Sequence, residues 1–185
     1  SIPKNYGGLG LSMEEQILLT FEFTRASAVY RSRFSTTIGL CSQALLDFGT
    51  DKQKDKYLPL MASGKTVGSF ALTEPNAGSD ALSLETTAKK DGDEYIINGT
   101  KKYITNAPYA DVFLVMAKTN PDIEGSEGIS SFLVDSNSNG IEIGETPKML
   151  GQKGSASPEV YFQDCRINKD ALLGEKEGGG LKPAL

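Results

Sequence analysis

The spacing of apolar residues changes near residue 66 of this 185-residue chain, and the change limits which folds it can adopt. Up to about Met61, apolar residues recur every three or four positions, as on one face of an α-helix. From Val67 to about Lys169, they alternate with polar residues in short runs, as in strands with one buried face. This switch predicts the α+β class: a partial helical bundle followed by an antiparallel β-sandwich or barrel domain.

Three helices are predicted in the first region. Ser12 and Glu15 have the spacing of a capping box, so the first helix should begin at Ser12. A second helix is predicted over Ser35–Phe48. A third should begin near Thr50 and be split into two short turns by Pro59, because proline removes a helix hydrogen bond.

The β region is predicted from short runs between turn residues. Asp91-Gly92 and Asn98-Gly99 are typical of two-residue hairpin turns. The lysine pairs Lys89-Lys90 and Lys101-Lys102 are interpreted as solvated strand ends. Eight runs are predicted as strands: Val67–Leu72, Leu84–Lys90, Glu94–Asn98, Lys101–Thr105, Val112–Thr119, Ile129–Asp135, Ile141–Ile143 and Val160–Gln163.

The two ends of the chain lead us to expect a piece of a longer protein. The chain begins without a methionine, and an apolar stretch follows Gly178-Gly179-Gly180, as in the first turn of a helix. We therefore expect the C-terminal part of an N-terminal helical domain over 1–66 and a middle β domain over 67–170. Residues 171–185 would form a linker and the start of a truncated C-terminal helical domain.

Several absences in the sequence exclude whole classes of function. The chain has no histidine, so it cannot form a Ser-His-Asp triad or a histidine-containing metal site. Cys41 and Cys165 lie too far apart in sequence for a CxxC motif and are interpreted as buried, reduced residues. The net charge of −5 argues against a nucleic-acid partner. No apolar run has the length of a membrane span, so no membrane partner is expected.

Two segments have the side chains that a flat, anionic cofactor requires. Phe70–Asp80 reads FALTEPNAGSD, a short strand followed by a turn of small residues that can present backbone N–H groups to a phosphate. Tyr103 and Thr105 are two residues apart, so on a strand the ring and the hydroxyl would share one face. Together these features predict a site with hydroxyls, a phosphate-sized turn and a ring for stacking.

Two other features of this region are open to more than one interpretation. Glu74 and Asp80 flank the predicted site and could serve as general bases, but turn and cap hydrogen bonding is the interpretation we prefer. The Lys148–Ser157 segment could be a functional loop or a plain corner of a sandwich, and its sequence does not decide between them.

Four stretches of the chain resemble the acyl-CoA dehydrogenase family in sequence and in order: FALTEPNAGSD, DEYIINGTKKYITN, KMLGQKGSASPEVYFQDCRI and ALLGEKEGGG. The resemblance covers essentially the whole chain. It implies an N-terminal helical domain, a middle β domain and a C-terminal helical bundle in a homotetramer, with the third domain missing here. It also implies FAD as cofactor and no metal.

The resemblance further implies the reaction: a carboxylate removes the α-proton of an acyl-CoA thioester, and a hydride passes from the β-carbon to N5 of the flavin. The base is expected in the missing C-terminal domain, so no catalytic residue is assigned. Ser79 is also expected to approach the acyl-CoA, and Thr105 to lie near N5. Nine positions are expected to bind the cofactor: Phe70, Ala71, Leu72, Thr73, Gly78, Ser79, Tyr103, Ile104 and Thr105.

The implied partners are the acyl-CoA substrate and electron-transferring flavoprotein or a similar acceptor. One alternative is a flavin-dependent oxidase or monooxygenase of the same fold group, and another is a flavin- or CoA-binding module without turnover. For the chain as it stands we expect weak FAD binding and no dehydrogenase activity. The acidic composition and the lack of a targeting segment lead us to expect a bacterial cytoplasmic protein, with the mitochondrial matrix as the alternative.

Overall fold

A computed structural model describes residues 1–184, so the last residue of the expected C-terminal segment, Leu185, lies outside the described residues. The described part contains four α-helices, one π-helical segment, seven β-strands and several short 3₁₀ turns. The helices are α1 (Met13–Ala26), α2 (Ala28–Ser35), the π-helix (Thr36–Cys41), α3 (Ser42–Phe48) and α4 (Asp51–Ala62). The strands are β1 (Gly68–Ala71), β2 (Thr87–Asp91), β3 (Glu94–Lys101), β4 (Val112–Lys118), β5 (Ile129–Asp135), β6 (Ile141–Ile143) and β7 (Val160–Asn168).

Local sequence signals set the starts of α1 and α4. Ser12 and Glu15 form the predicted capping box, and Thr50 forms a second one with Gln53. The predicted break at Pro59 is wrong, because α4 continues through this residue. Proline removes only one helix hydrogen bond here, and burial of the neighbouring Leu58 offsets that loss.

The second predicted helix is longer than expected and not uniform. Helical structure already begins at Ala28, and the turn over Thr36–Cys41 is a π-helix. Within this turn the Thr37 hydroxyl donates to the carbonyl of Gly68 at 3.1 Å and accepts from its N–H at 3.0 Å. The π-helix therefore connects the helical part to Gly68, the first residue of β1, by hydrogen bonds.

The strands form one curled, mixed sheet. Its order is β1-β4-β2-β3-β7-β6, and β5 pairs with β4 as well. The predicted α+β class with helices first is confirmed, but the sheet is not purely antiparallel, since β1 and β4 are parallel. Strands β1, β2 and β4 run in one direction and β3 runs in the opposite direction, so the chain reverses once at the β2–β3 hairpin and again between β3 and β4.

The predicted turn at Asn98-Gly99 is wrong, whereas the predicted turn at Asp91-Gly92 is confirmed. β3 runs on to Lys101 with a bulge between Ile97 and Gly99. Gly99 has a φ of 152°, and a Cβ there would come within 2.7 Å of the Thr86 Cα atom. The glycine therefore allows two backbone segments to approach closely rather than forming a hairpin turn.

The core has two parts, and β4 contributes to both. Phe113 and Val115 face a cluster inside the curled sheet. Val112 and Leu114 face a second cluster, which includes Leu45 and the other buried side chains of the helices. Because successive residues of a strand point to opposite faces, this one buried strand joins the sheet to the helical part. The exact domain boundaries stay predictions.

Two further sequence expectations can be compared with the described residues. Cys41 and Cys165 are both buried with free thiols, as expected, and burial raises the pKa of Cys165 to about 11. Between residues 1 and 184, no helix is both long and apolar enough to cross a lipid bilayer. α1 buries none of its residues, and its apolar side chains at Leu18 and Phe21 are exposed.

We predict that Gly99→Ala lowers the free energy of unfolding by at least about 2 kcal/mol, because it adds backbone strain and a clash with Thr86. Gly151→Ala is the control, because a Cβ there meets no atom within 4 Å and the backbone is outside the left-handed region. It should change stability by less than about 1 kcal/mol. Urea denaturation measures both, and equal effects of the two substitutions would contradict the prediction.

Candidate flavin site

The two segments that carry the predicted site lie side by side. The Lys102 N–H donates to the Thr73 carbonyl at 2.7 Å, just beyond the ends of β3 and β1. The Ser69 hydroxyl donates to the Thr105 carbonyl at 2.5 Å. Hydrogen bonds therefore bring the FALTEPNAGSD segment next to Tyr103–Thr105, although about thirty residues separate them in the sequence.

The second segment is a loop, so the prediction that Tyr103 and Thr105 share one face of a strand is wrong. Tyr103 has a φ of 58° and Asn106 a φ of 69°, both in the left-handed region. The Ile104 N–H donates to Pro158 and the Asn106 N–H to Ala156, each at 2.9 Å. Bonding to a neighbouring segment thus replaces the strand pairing that the alternating pattern suggested.

The loop leaves the ring of Tyr103 accessible and buries its neighbour. Tyr103 is 63% exposed, whereas Ile104 is 1% exposed and belongs to the core of the curled sheet. The exposed ring can stack on a flat ligand. Ile104 anchors the loop, so only its backbone could meet a ligand.

The segment whose role the sequence left open also reaches this site. The hydroxyls of Thr105 and Ser157 are 3.1 Å apart and form a hydrogen bond. Ser157 lies between the buried residues Ala156 and Pro158, whose carbonyls hold the loop. Its place beside Thr105 was missed from sequence because nothing in the local pattern distinguishes this serine from an ordinary loop residue.

The first segment changes from buried to exposed along its length. Ala71 is fully buried, and Phe70, Leu72 and Thr73 are half-buried. Gly78 and Ser79 are exposed. Any contact of Ala71 with a ligand would therefore involve its backbone alone.

The turn after this strand offers a row of backbone donors. Within residues 1–184, the N–H groups of Gly78, Ser79 and Asp80 donate to no other group. Gly78 does not use the left-handed conformation, and a Cβ there would meet nothing within 4 Å. The turn therefore presents free N–H groups beside a serine hydroxyl without a left-handed glycine, and such groups fit an anionic ligand such as a pyrophosphate.

The helical part borders the site through α2. The Asn106 side-chain amide donates to the Arg33 carbonyl at 2.9 Å, and the Arg33 guanidinium lies 3.9 Å from the centre of the Tyr109 ring. A separate apolar cleft of about 850 Å³ is lined chiefly by α1, α2 and the N-terminal residues before α1. None of the nine predicted cofactor-binding residues lines that cleft.

A buried ion pair lies directly behind the site, and sequence reasoning missed it. Lys101 is 0% exposed and Glu74 is 4% exposed, so the interpretation of Lys101 as a solvated strand end is wrong. The Lys101 Nζ lies 2.7 Å from Glu74 Oε1 and donates to the Leu72 carbonyl at 3.1 Å. The other Glu74 contacts are the N–H groups of Glu85 at 2.5 Å and Thr86 at 3.0 Å.

Burial and the ion pair together set the pKa values of Lys101 and Glu74. Burial lowers the pKa of Lys101 to about 8, against the opposing effect of Glu74. Burial alone would raise the pKa of Glu74, but the charge of Lys101 and the hydrogen bonds from Lys101, Thr86 and Glu85 outweigh it, so the pKa is lowered. Both groups are therefore charged at neutral pH.

The contacts of Asp80 agree with the turn role we preferred for it, whereas Glu74 forms a buried ion pair rather than a turn or cap bond. Glu74 is held by Lys101 and by two backbone N–H groups. Asp80 accepts a hydrogen bond from the Ser83 hydroxyl, as in a turn. We therefore assign a catalytic base to neither residue.

Comparison with known proteins identifies the family. Residues 69–165 match the family model "Acyl-CoA dehydrogenase, middle domain", and residues 1–65 match "Acyl-CoA dehydrogenase, N-terminal domain". The fold is thus that of an oxidoreductase family whose dehydrogenases act on CH–CH bonds. The chain belongs to the acyl-CoA dehydrogenase family, and the expected resemblance is confirmed.

Individual relatives agree with this assignment. An acyl-CoA dehydrogenase of Bacillus subtilis (strain 168) is 41% identical over 184 residues, which is 100% of this chain and 48% of the relative. The mitochondrial isovaleryl-CoA dehydrogenase of Pongo abelii is 39% identical, covering 96% of this chain and 42% of the relative. The chain spans about half the length of these curated relatives.

A solved structure of the family contains the expected cofactor. It is described as an acyl-CoA dehydrogenase complexed with FAD from Bacillus anthracis. It superimposes with a TM-score of 0.90 at 37% identity, over 99% of this chain and 31% of that one. The prediction of FAD as the cofactor is confirmed for the family.

We predict that Lys101→Met lowers the free energy of unfolding by about 3–5 kcal/mol, because it leaves the Glu74 carboxylate buried without a counter-charge. The double variant Glu74→Gln/Lys101→Met removes both charges and should regain most of that loss. Lys169→Met is the control, since it breaks an exposed pair with Asp93 and should cost less than about 1 kcal/mol. Urea denaturation measures all three, and a Lys101→Met effect as small as that of the control would contradict the prediction.

The lowered pKa of Glu74 predicts an acid-dependent loss of stability. The Glu74 carboxyl takes up a proton at a higher pH in the unfolded chain than in the folded one. Its contribution to the free energy of unfolding is therefore complete above the ordinary glutamate pKa of 4.5. It is lost as the pH falls through the lower folded value. Unfolding measured between pH 6 and pH 3 should therefore show a steeper decline for the wild type than for Glu74→Gln/Lys101→Met, and parallel curves would argue against it.

Proposed function

We propose that this chain provides the flavin-binding part of an FAD-dependent acyl-CoA dehydrogenase, which removes hydrogen from the α- and β-carbons of an acyl-CoA thioester. The main support is one arrangement: free N–H groups at residues 78–80, the hydroxyls of Thr73 and Thr105, and the exposed ring of Tyr103 lie on adjacent segments. These segments fall within the part of the chain that matches the middle-domain model. The activity of the whole protein is part of the proposal.

Each group has a defined task in this proposal. The free N–H groups of Gly78 and Ser79 hold the pyrophosphate, and Ser79 also approaches the acyl-CoA. The Thr73 and Thr105 hydroxyls bond to the edge of the flavin ring, and Tyr103 covers one face and excludes water from it. When bound, FAD accepts the hydride from the β-carbon at N5.

Besides Gly78, four of the nine predicted residues would act without a polar side chain. Phe70 and Leu72 are half-buried and would supply apolar contact beside the ring, whereas Ala71 and Ile104 are buried and would contribute backbone atoms. The Ser157 hydroxyl, bonded to that of Thr105, would fix the orientation of that hydroxyl.

The remaining parts of the proposal concern the whole protein. The α-proton would be removed by a carboxylate of the C-terminal domain that the family resemblance implies, and Glu74 and Asp80 beside the site have structural contacts instead. Electrons would leave to electron-transferring flavoprotein or a similar acceptor, and the intact protein would be a homotetramer. A bacterial cytoplasm or a mitochondrial matrix suits this role, and relatives occur in bacteria and in mitochondria.

An absorbance titration of the purified chain with FAD tests the proposed site. A saturating shift in the flavin spectrum is expected, and Thr73→Ala and Thr105→Ala should each weaken binding about three- to tenfold by removing one hydrogen bond. Thr24→Ala is the matched control, because this exposed threonine bonds only within α1. An equal effect of all three substitutions, or no shift in the wild type, would contradict the assignment.

A second experiment separates the proposed reaction from the oxidase alternative. Anaerobic addition of an acyl-CoA to the full-length, FAD-loaded protein should bleach the flavin absorbance. The 185-residue chain alone should show no dehydrogenase activity. Full-length protein that is bleached only by a substrate without CoA, and reoxidised by oxygen, would favour the oxidase, and turnover by the chain alone would refute the expected inactivity.

A further inference from the structure

We propose that the buried Glu74–Lys101 ion pair positions the flavin-contacting ends of β1 and β3. The inference rests on the proposed function, because it concerns the same site. Glu74 and Lys101 are positioning residues in this view: neither touches the cofactor, but the contacts of the pair set where Thr73 and Tyr103 lie.

The pair joins three segments at one point. Lys101 ends β3 and bonds to the Leu72 carbonyl just beyond β1. Glu74 accepts from Glu85 and Thr86, which lie just before β2. Side-chain bonds thus connect the C-terminal ends of β1 and β3 with the residues just before β2.

The residues proposed to contact flavin are direct neighbours of these bonds. Thr73 lies between Leu72 and Glu74, both of which bond to Lys101. Its carbonyl accepts from the Lys102 N–H, and the next residue is Tyr103. A shift of the pair would therefore move the Thr73 hydroxyl and the Tyr103 ring together.

The same network reaches the turn with the free N–H groups. Glu74 and Ala77 exchange backbone hydrogen bonds in both directions, at 3.0 and 3.3 Å. These bonds fix the start of the turn that presents Gly78 and Ser79. The orientation of Glu74 consequently affects the proposed phosphate contacts as well as the ring contacts.

Stability alone does not account for an ion pair at this position. Two apolar side chains of similar size often stabilise a buried site as well as an ion pair does. The pair differs in having directional bonds, which specify one geometry for irregular backbone. An apolar pair has no directional bonds, so it could not position the backbone in this way.

Glu74→Gln/Lys101→Met is the main test variant, because it removes both charges and keeps the approximate side-chain volumes. Two measurements on the 185-residue chain are required: the FAD dissociation constant, and hydrogen exchange at the Lys102 N–H. We expect FAD binding at least tenfold weaker and Lys102 exchange at least tenfold faster, while the β4–β5 amides exchange as in the wild type.

The double variant Asp93→Asn/Lys169→Met is the matched control, because it removes an exposed ion pair near the opposite end of β3 from Lys101. This variant should leave both measurements unchanged. If Glu74→Gln/Lys101→Met does not fold, Glu74→Asp serves instead, since it keeps the charges but draws the carboxylate back; a smaller change in the same directions is then expected.

A folded Glu74→Gln/Lys101→Met variant with wild-type Lys102 exchange would overturn the inference, whatever its affinity. Faster exchange with unchanged FAD binding would overturn it too, because the pair would then hold the backbone without affecting the site. If the wild-type chain binds no FAD, the proposed flavin site of this chain fails. The exchange measurement then still decides whether the pair positions these segments.

Discussion

The charged side chain of Lys101 is completely buried. Within residues 1–184, its carboxylate partner is Glu74. Removing either charge would leave the other buried alone, so the two residues depend on each other. Their bonds gather the end of β1, the end of β3 and the residues before β2. These bonds between the three segments determine the arrangement of the candidate flavin site.

Close backbone contacts around this pair allow it to form. The bulge at Gly99 brings β3 against Thr86, whose N–H bonds to Glu74. On the other side, Thr37 of the π-helix fastens β1 at Gly68. Contacts with the sheet on one side and with the helical part on the other thus position the site. Strand β4 joins these two parts, because its side chains are buried on both faces.

Features set by neighbouring residues could be predicted well. The capping box at Ser12, the turn at Asp91-Gly92 and the alternation within β4 each depend on residues close in sequence. Features set by distant residues could not be predicted. Lys101 looks like a surface lysine until Glu74 is placed beside it, and Tyr103 looks like a strand residue until bonds to residues 156 and 158 turn the loop.

The sequence by itself determined the order of helices and strands, the family, and the segments that carry the candidate site, because periodicity and motifs are local properties of the chain. Only the tertiary structure decided that β1 and β4 are parallel, that Ser157 adjoins Thr105, and that a buried ion pair lies behind Thr73. These features come from contacts between residues far apart in sequence, whose energies depend on burial. Burial is a property of the folded chain and is not visible in any short stretch of it.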